Sequence, residues 1–392
     1  MLSLRYGDDA LDLRARALRA LGATQRRAVV VLHGDPELYA AVMASSDTKG
    51  QFIEALIATP AWAPFYSIES TDGERWKQLA SDFKSVLARL HWPDRLPAIV
   101  STHLTALQNN GATIDAEALS KLVLAIMFEL CFDTAMGERD SELFYAASLE
   151  WRREIAVKSK GDMRIKRAFW QRLQQLVHSS PFRDGLSSYA DDPAAWLSVF
   201  AQPLLISPSI NIGDIFAAVF GYLRADPSLL AEARRAAEVG DRRYLEGVLL
   251  EAIRLQHPFP VLERELSRDL HARGSVLKSG TQVFMVMDKL QQDRRFDPAR
   301  WQQAAKDNPY RAIPFGAGPR MCIGKAVALE LMSSLLSSFL NDFPIVQVRP
   351  ERGHLYSGRD NDGAASLHEN LYQLKVFGRA FWQSMRLMSK RG

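Results

Sequence analysis

The chain has 392 residues, 47% of them hydrophobic and 24% charged, values that exclude a disordered or staple-dependent polypeptide. Its net charge of +4 comes from 49 basic residues scattered among 45 acidic ones, without the dense cationic block of a nucleic-acid arm. With two cysteines, Cys131 and Cys322, no disulfide framework can be built, which implies a reduced, intracellular chain.

The opening stretch, MLSLRYGDDALDLRARALRALGA, carries charges where a signal peptide needs its apolar segment, and no run reaches ~18 uncharged apolar residues. The expectation is a cytoplasmic protein with no membrane contact. AVVVLHG (Ala28 to Gly34) is β-branched and Gly-terminated, which predicts a strand of a minor sheet. LVLAIMFELCF holds Cys131 in an apolar helical run, so that thiol is read as inert packing. EWRREIAVKSKGDMRIKRAFW is rich in cations and aromatics. It is either a lid favouring an acidic substrate or, the commoner case, a solvated helix pair.

Asp192-Pro193 pairs a good N-cap with a first-turn proline, and apolar residues then continue to Arg224 before Asp226-Pro227 ends the pattern. Unbroken, this helix crosses a whole domain at ~1.5 Å per residue. Within it Pro208 lacks an N–H and its ring opposes the carbonyl of Leu204. Either the helix kinks there, or Ser207 caps a second helix.

LEGVLLEAIRLQHPF follows, with an apolar stripe of Leu245, Val248, Leu249 and Ala252 that leaves Glu251 and Arg254 at i and i+3 on another face, able to pair. SVLKSGTQVFMVM (Ser275 to Met287) again reads as strand. Helical periodicity dominates overall, no repeat or long linker interrupts it, and one domain over residues 1–392 is the simplest organisation.

The sharpest feature is PFGAGPRMCIG, Pro314 to Gly324, directly before the apolar helical run KAVALELMSSLLSSFL. A thiol at a helix N-terminus next to Arg320 is biased toward thiolate, suited to be an anionic ligand or a nucleophile. No histidine is near in sequence to serve as its base.

Phe315-x-x-Gly318-x-Arg320-x-Cys322-x-Gly324 resembles the heme-binding signature of the cytochrome P450 family, whose cysteine thiolate is the proximal ligand of heme iron. Five fixed residues at ~1/20 each make a chance match on the order of one in ten thousand for this length. The resemblance implies a mainly α, single-domain cytochrome P450 fold with a long central helix, a cysteine-ligand loop and small β-sheets. It also implies heme b (iron protoporphyrin IX), with Cys322 as metal ligand and Phe315, Arg320 and Gly324 at the cofactor.

The same resemblance assigns Glu251 and Arg254 to the family's Glu-x-x-Arg pair and Arg300, in FDPARW, to the arginine that joins it, all three as structural supports. Arg264, in LERELSRDL, falls where the family places a heme-propionate arginine. DGERWKQL resembles the segment that holds the other propionate through Trp76, although Ala80 stands where an arginine is usual and Lys77 offers another register. Between Met287 and Phe296 the chain is several residues shorter than the family's usual stretch.

In the family's oxygen-activating helix an acid and an alcohol deliver protons. Counting back from Asp226-Pro227 puts Ile210 and Asn211 in those places, so both proton-handling groups are replaced. Asn211 can position a water but is not an acid. Asp214, one turn beyond Ile210, acts through water or is an ordinary first-turn carboxylate.

Three activities follow from the resemblance: a monooxygenase using O2; peroxide-driven oxidation or a non-oxygenating rearrangement or dehydration; or a heme-binding sensor or carrier. Ser207, Asn211, Val261 and Leu262 are the expected substrate contacts, and a small, largely apolar molecule is the expected substrate. The missing anchor makes the chain resemble soluble bacterial members, which are monomers served by a ferredoxin and ferredoxin reductase, with Lys325 suited to an acidic partner.

Overall fold

The computed structural model describes residues 28–32, 34–45, 48, 68, 71–109, 116–157, 162–180, 199–259, 261–272, 274–287, 290, 293–304 and 307–342. The expected helix start at Asp192 lies outside the described residues. In chain order, strand β1 (Val29–Leu32) and helix α1 (Pro36–Ser45) precede α2 (Gly73–Arg89), α3 (Trp92–Asn109), α4 (Ala116–Phe132), α5 (Glu138–Val157) and α6 (Met163–Ser179). Helices α7 (Ser207–Ala225), α8 (Pro227–Glu238) and α9 (Arg242–Leu255) come next. Strands β2 (Val261–Glu265), β3 (Leu270–Ala272), β4 (Ser275–Leu277) and β5 (Gln282–Val286) follow, and α10 (Lys325–Asp342) is the last described helix.

The expected strands form, but SVLKSGTQVFMVM divides between two sheets. β5 is the centre of a three-stranded sheet, parallel to β1 and antiparallel to β2, whereas β4 pairs with β3 in a two-stranded hairpin. The turn at Gly280, with φ of +77°, separates the two. All five β5 residues are buried, as a strand covered on both faces demands.

The helices enclose the larger core. α7 runs through it with Ile210, Ile212, Phe216 and Val219 buried, and Phe216 and Phe220 meet Phe339 of α10 at 5.8 Å between ring centroids. Cys131 on α4 is fully buried, and burial pushes its thiol far above its ordinary pKa, in line with an inert packing role.

The second helix capped by Ser207 does not form, and the expected disturbance at Pro208 takes the form of a π-helical turn. Gln202–Ile206 is a single π-helical turn in which the Ser207 N–H donates to the Gln202 carbonyl, five residues back. The wider turn gives room to the Pro208 ring where an ordinary α-turn would clash, so the helix runs on without a restart. Ser207 makes no side-chain cap. Its hydroxyl instead accepts from Asn211, and Asp214 stands in the second turn rather than the first. The stretch Val199–Ala225 is long and apolar enough to cross a bilayer by length and composition, yet 67% of its most apolar window is buried inside the protein.

The described residues of the cation-rich stretch fall on the paired helices α5 and α6 and are mixed in exposure. Arg164 projects into solvent, but Glu150, Trp151, Lys166 and Phe169 are buried where the two helices pack.

Candidate functional site

Gly316 and Gly318 shape the cysteine loop. Both have positive φ, +74° and +69°, and a Cβ on Gly318 would stand 2.5 Å from the Met43 carbonyl oxygen and 2.7 Å from the Ala44 Cα. The loop therefore lies directly on the backbone of α1, an approach that only glycine allows. A hydrogen bond from the Cys322 N–H to the Phe315 carbonyl, 2.8 Å, closes the loop. Lys325 N–H donates to the Cys322 carbonyl at 3.3 Å, so α10 starts three residues after the thiol rather than at it. Cys322 is exposed, Phe315 is partly buried, and the Lys325 ammonium lies 5.8 Å from the Phe315 ring centroid. A Cβ on Gly324 would meet no atom within 4 Å.

Trp76 and Arg320, 244 positions apart in sequence, come together: the guanidinium lies over the indole at 4.4 Å. Arg320 Nη1 donates to the Thr71 carbonyl at 2.9 Å and faces Asp72 Oδ1 at 3.4 Å, with the arginine side chain only 1% exposed. Lys77, the other register, is exposed and pairs with Glu74 at 2.7 Å. Its neighbour Trp76 is the residue that faces the loop. Arg264 is buried on β2, where its Nη1 donates to the Glu263 carbonyl at 2.7 Å. Its guanidinium partly offsets the burial that drives the Tyr39 phenol upward in pKa.

Glu251 and Arg254 are 0% exposed and joined twice, Nε to Oε2 at 2.8 Å and Nη2 to Oε1 at 2.6 Å. Arg300 joins them, its Nε 3.4 Å from Glu251 Oε1 and its Nη2 2.7 Å from Asp293 Oδ2. Sequence reasoning missed three further members. Trp301 Nε1 donates to Glu251 Oε2 at 2.9 Å, Asp293 offers both carbonyl and carboxylate, and the Tyr310 ring lies beneath both guanidinium groups at 4.8 and 5.3 Å. Trp301 adjoins Arg300 in FDPARW and was open to notice; nothing local marks Asp293 or Tyr310. Hydrogen bonding to Arg300 holds the Asp293 carboxyl below its ordinary pKa.

On α7, Ser207, Asn211 and Asp214 form a half-buried stripe at i, i+4 and i+7, while Ile210 is fully buried on another face. Asn211 Nδ2 donates to Ser207 Oγ at 2.9 Å. Ser209 faces away and bonds Ser148 of α5 at 3.2 Å, a helix-to-helix tie that no local pattern marks. Leu262 is half-buried against the sheet core, and Val261 stands opposite Val286 in the β2–β5 register.

Among the described residues no group of three or more His, Cys, Asp or Glu could enclose a metal. No described cluster would therefore complete the ligand set of a metal at Cys322. Heme fits this donor set: it brings four nitrogens, needs one thiolate, and carries two carboxylates for which buried guanidiniums such as Arg320 and Arg264 are suitable partners.

An exposed thiol in a glycine-shaped loop that also carries a buried arginine is the arrangement that a heme-thiolate protein needs. Residues 231–376 match the cytochrome P450 family model. Among curated relatives, the chain is 33% identical over 125 residues to cytochrome P450 4d2 of Drosophila melanogaster, covering 30% of this chain and 25% of that protein. It is 29% identical over 187 residues to the methyltetrahydroprotoberberine 14-monooxygenase of Papaver somniferum, covering 41% and 36%. The chain thus spans about a quarter to a third of the length of these relatives. A solved six-coordinated cytochrome P450 from Thermus thermophilus superposes with a TM-score of 0.62 at 18% identity, over 86% of this chain and 92% of that one. The match to the cytochrome P450 family model is confined to residues 231–376, and the mainly helical architecture with small sheets is the fold of the solved cytochrome P450s.

Proposed function

We propose that this chain is a heme-thiolate oxidoreductase, a monooxygenase that oxidises a small, largely apolar molecule with O2 and electrons from a redox partner. The observation that carries the reading is the glycine-shaped loop that presents Cys322 beside buried Arg320. Bound heme b with a thiolate ligand would supply oxygen activation, because the electron-rich sulfur favours O–O cleavage.

The chain's own residues do the rest. Cys322 supplies the sulfur and Phe315 closes its loop; Gly324 leaves open space beside it. Arg320 and Arg264 would hold the cofactor's carboxylates, with Trp76 as the stacking surface under Arg320. Glu251, Arg254 and Arg300 lock α9 to the segment that precedes the loop. Asn211 donates to Ser207 Oγ, which leaves the Asn211 Oδ1 acceptor and the Ser207 hydroxyl proton as an oriented polar pair for a water or a substrate group. With Val261 and Leu262 they are the proposed substrate contacts.

One observation favours a second reading within the same class. Ile210 is fully buried in the helix core and Asn211 does not ionise, so the two α7 positions matched to the family's acid–alcohol pair carry neither group. Peroxide-driven oxidation, or a rearrangement or dehydration without O2, requires none.

Localisation in the cytoplasm, a single domain over 1–392, a monomeric state, and a ferredoxin with its reductase docking near Lys325 belong to the same proposal. The test is the visible spectrum of the reduced protein under carbon monoxide, with Cys322→Ser beside it. A thiolate-type Soret band that Cys322→Ser abolishes is expected. An unaltered band in the variant, or no heme retained by wild type, overturns the reading. Turnover with peroxide but none with O2 and a surrogate ferredoxin and reductase selects the second reading.

A further inference from the structure

Four aspartates that precede helices cap them. Asp35 accepts from Leu38 N–H at 2.9 Å, Asp162 from Arg164, Asp226 from Ser228 and Leu229, and Asp241 from Tyr244. Asp72, before α2, does not, and neither does Asp297 before the short 3-10 helix Pro298–Gln302. The Asp72 backbone is extended as an N-cap requires, φ −129° and ψ 172°, yet its side chain makes no cap hydrogen bond. The carboxylate is turned instead toward Arg320 Nη1 at 3.4 Å.

That contact is longer than the ~2.8 Å of a well-formed charge-assisted bond. The guanidinium it faces is 1% exposed and cannot lose its charge. A buried permanent cation retains a nearby anion even in poor geometry, because being unpaired is costlier. Asp72 thus forgoes the preferred role of its residue type and faces Arg320 instead. The Thr71 carbonyl and the Trp76 ring hold the same guanidinium in place, so exchanging its anion needs no movement of the arginine.

The geometry points to Asp72 as a placeholder counterion for Arg320, released to cap α2 when a carboxylate of heme takes the guanidinium. This rests on the heme reading above and adds to it a coupling: cofactor loading would order the first turn of α2. The exchange balances charge, since one carboxylate replaces another at Arg320.

The experiment uses the full chain, freed of cofactor and then loaded with hemin, for wild type, Asp72→Ser and Asp72→Asn. Serine and asparagine both cap helices but carry no charge to hold Arg320. Hydrogen exchange at the amides of Glu74 and Arg75 is the structural readout. Transfer of hemin to excess apomyoglobin gives its dissociation rate. In wild type, loading should slow exchange of these amides about fivefold, the effect of gaining one cap. In both variants the amides should be protected before loading, and hemin should leave about tenfold more slowly, as expected when competition for a charged hydrogen bond is removed. Equal exchange in loaded and unloaded wild type, or hemin loss from both variants at the wild-type rate, overturns the exchange. Failure of wild type and both variants to bind hemin sinks the heme reading and the exchange together, an outcome distinct from binding with unchanged amides.

Discussion

Glu251→Gln tests the physical account of the fold most directly. The substitution keeps the shape of the side chain and removes its charge. Glu251 Oε1 accepts from Arg254 Nη2 at 2.6 Å and from Asp297 N–H at 3.0 Å; Oε2 accepts from Arg254 Nε at 2.8 Å and from Trp301 Nε1 at 2.9 Å. Arg300 Nε reaches Oε1 as well, at 3.4 Å, so whichever way a glutamine amide turns, its NH2 faces at least two donors and at least two of these bonds are lost. Arg254, 0% exposed, then keeps a permanent charge without its carboxylate. Breaking one side of a buried pair costs about 3–5 kcal/mol. At a urea slope of ~3 kcal/mol per M the unfolding midpoint should fall by roughly 1 M. The assay is urea denaturation of the purified chain followed by far-UV circular dichroism and tryptophan fluorescence. Lys77→Ala is the control: its pair with Glu74 is exposed and contributes ~0.5 kcal/mol or less. A Glu251→Gln midpoint as close to wild type as that of Lys77→Ala would refute the claim that this network is a buried, mutually dependent unit.

Other outcomes follow from the same contacts. Gly318→Ala would strain a left-handed residue and drive a Cβ into the α1 backbone, so it should lower the thermal midpoint and heme retention far more than Gly316→Ala, which meets mainly the flexible Met43 methyl, at 2.8 Å. Lys166 is buried between α5 and α6, and that burial depresses its pKa to about 8 despite Glu150 nearby. Between pH 8 and its unfolded value near 10.5 the unfolded chain binds the extra proton, so wild type should gain stability as pH rises through this window. Lys166→Met should abolish that gain, read as denaturation midpoints across pH 7–10. Asp293 has a depressed folded pKa, so its contribution is present above the ordinary carboxylate range and lost as pH falls through the folded value. Asp293→Asn should flatten the acid limb of the stability profile, and an unchanged limb would show that the Arg300 contact is energetically idle.

The cysteine loop was legible locally, because its glycines, arginine and cysteine all fall within the eleven residues Pro314 to Gly324. Glu251 and Arg254 were legible as a pair, since i and i+3 share a helix face, but the same spacing occurs on solvated helices. Only the tertiary structure decided that both are buried, that Trp301 and Asp293 complete their hydrogen bonds, and that Tyr310 lies beneath the guanidiniums. The same holds for Pro208. Its lack of an N–H announced a disturbance in the helix, whereas the π-helical turn that absorbs it depends on the packing of α7 along its whole length. Trp76 and Arg320 show the division most plainly: each residue type was chosen by short-range chemistry, but no local rule joins positions 244 apart. Hydrogen bonding and helix periodicity act over a few residues and are written in the chain, while burial and partner choice depend on which segments the core brings together.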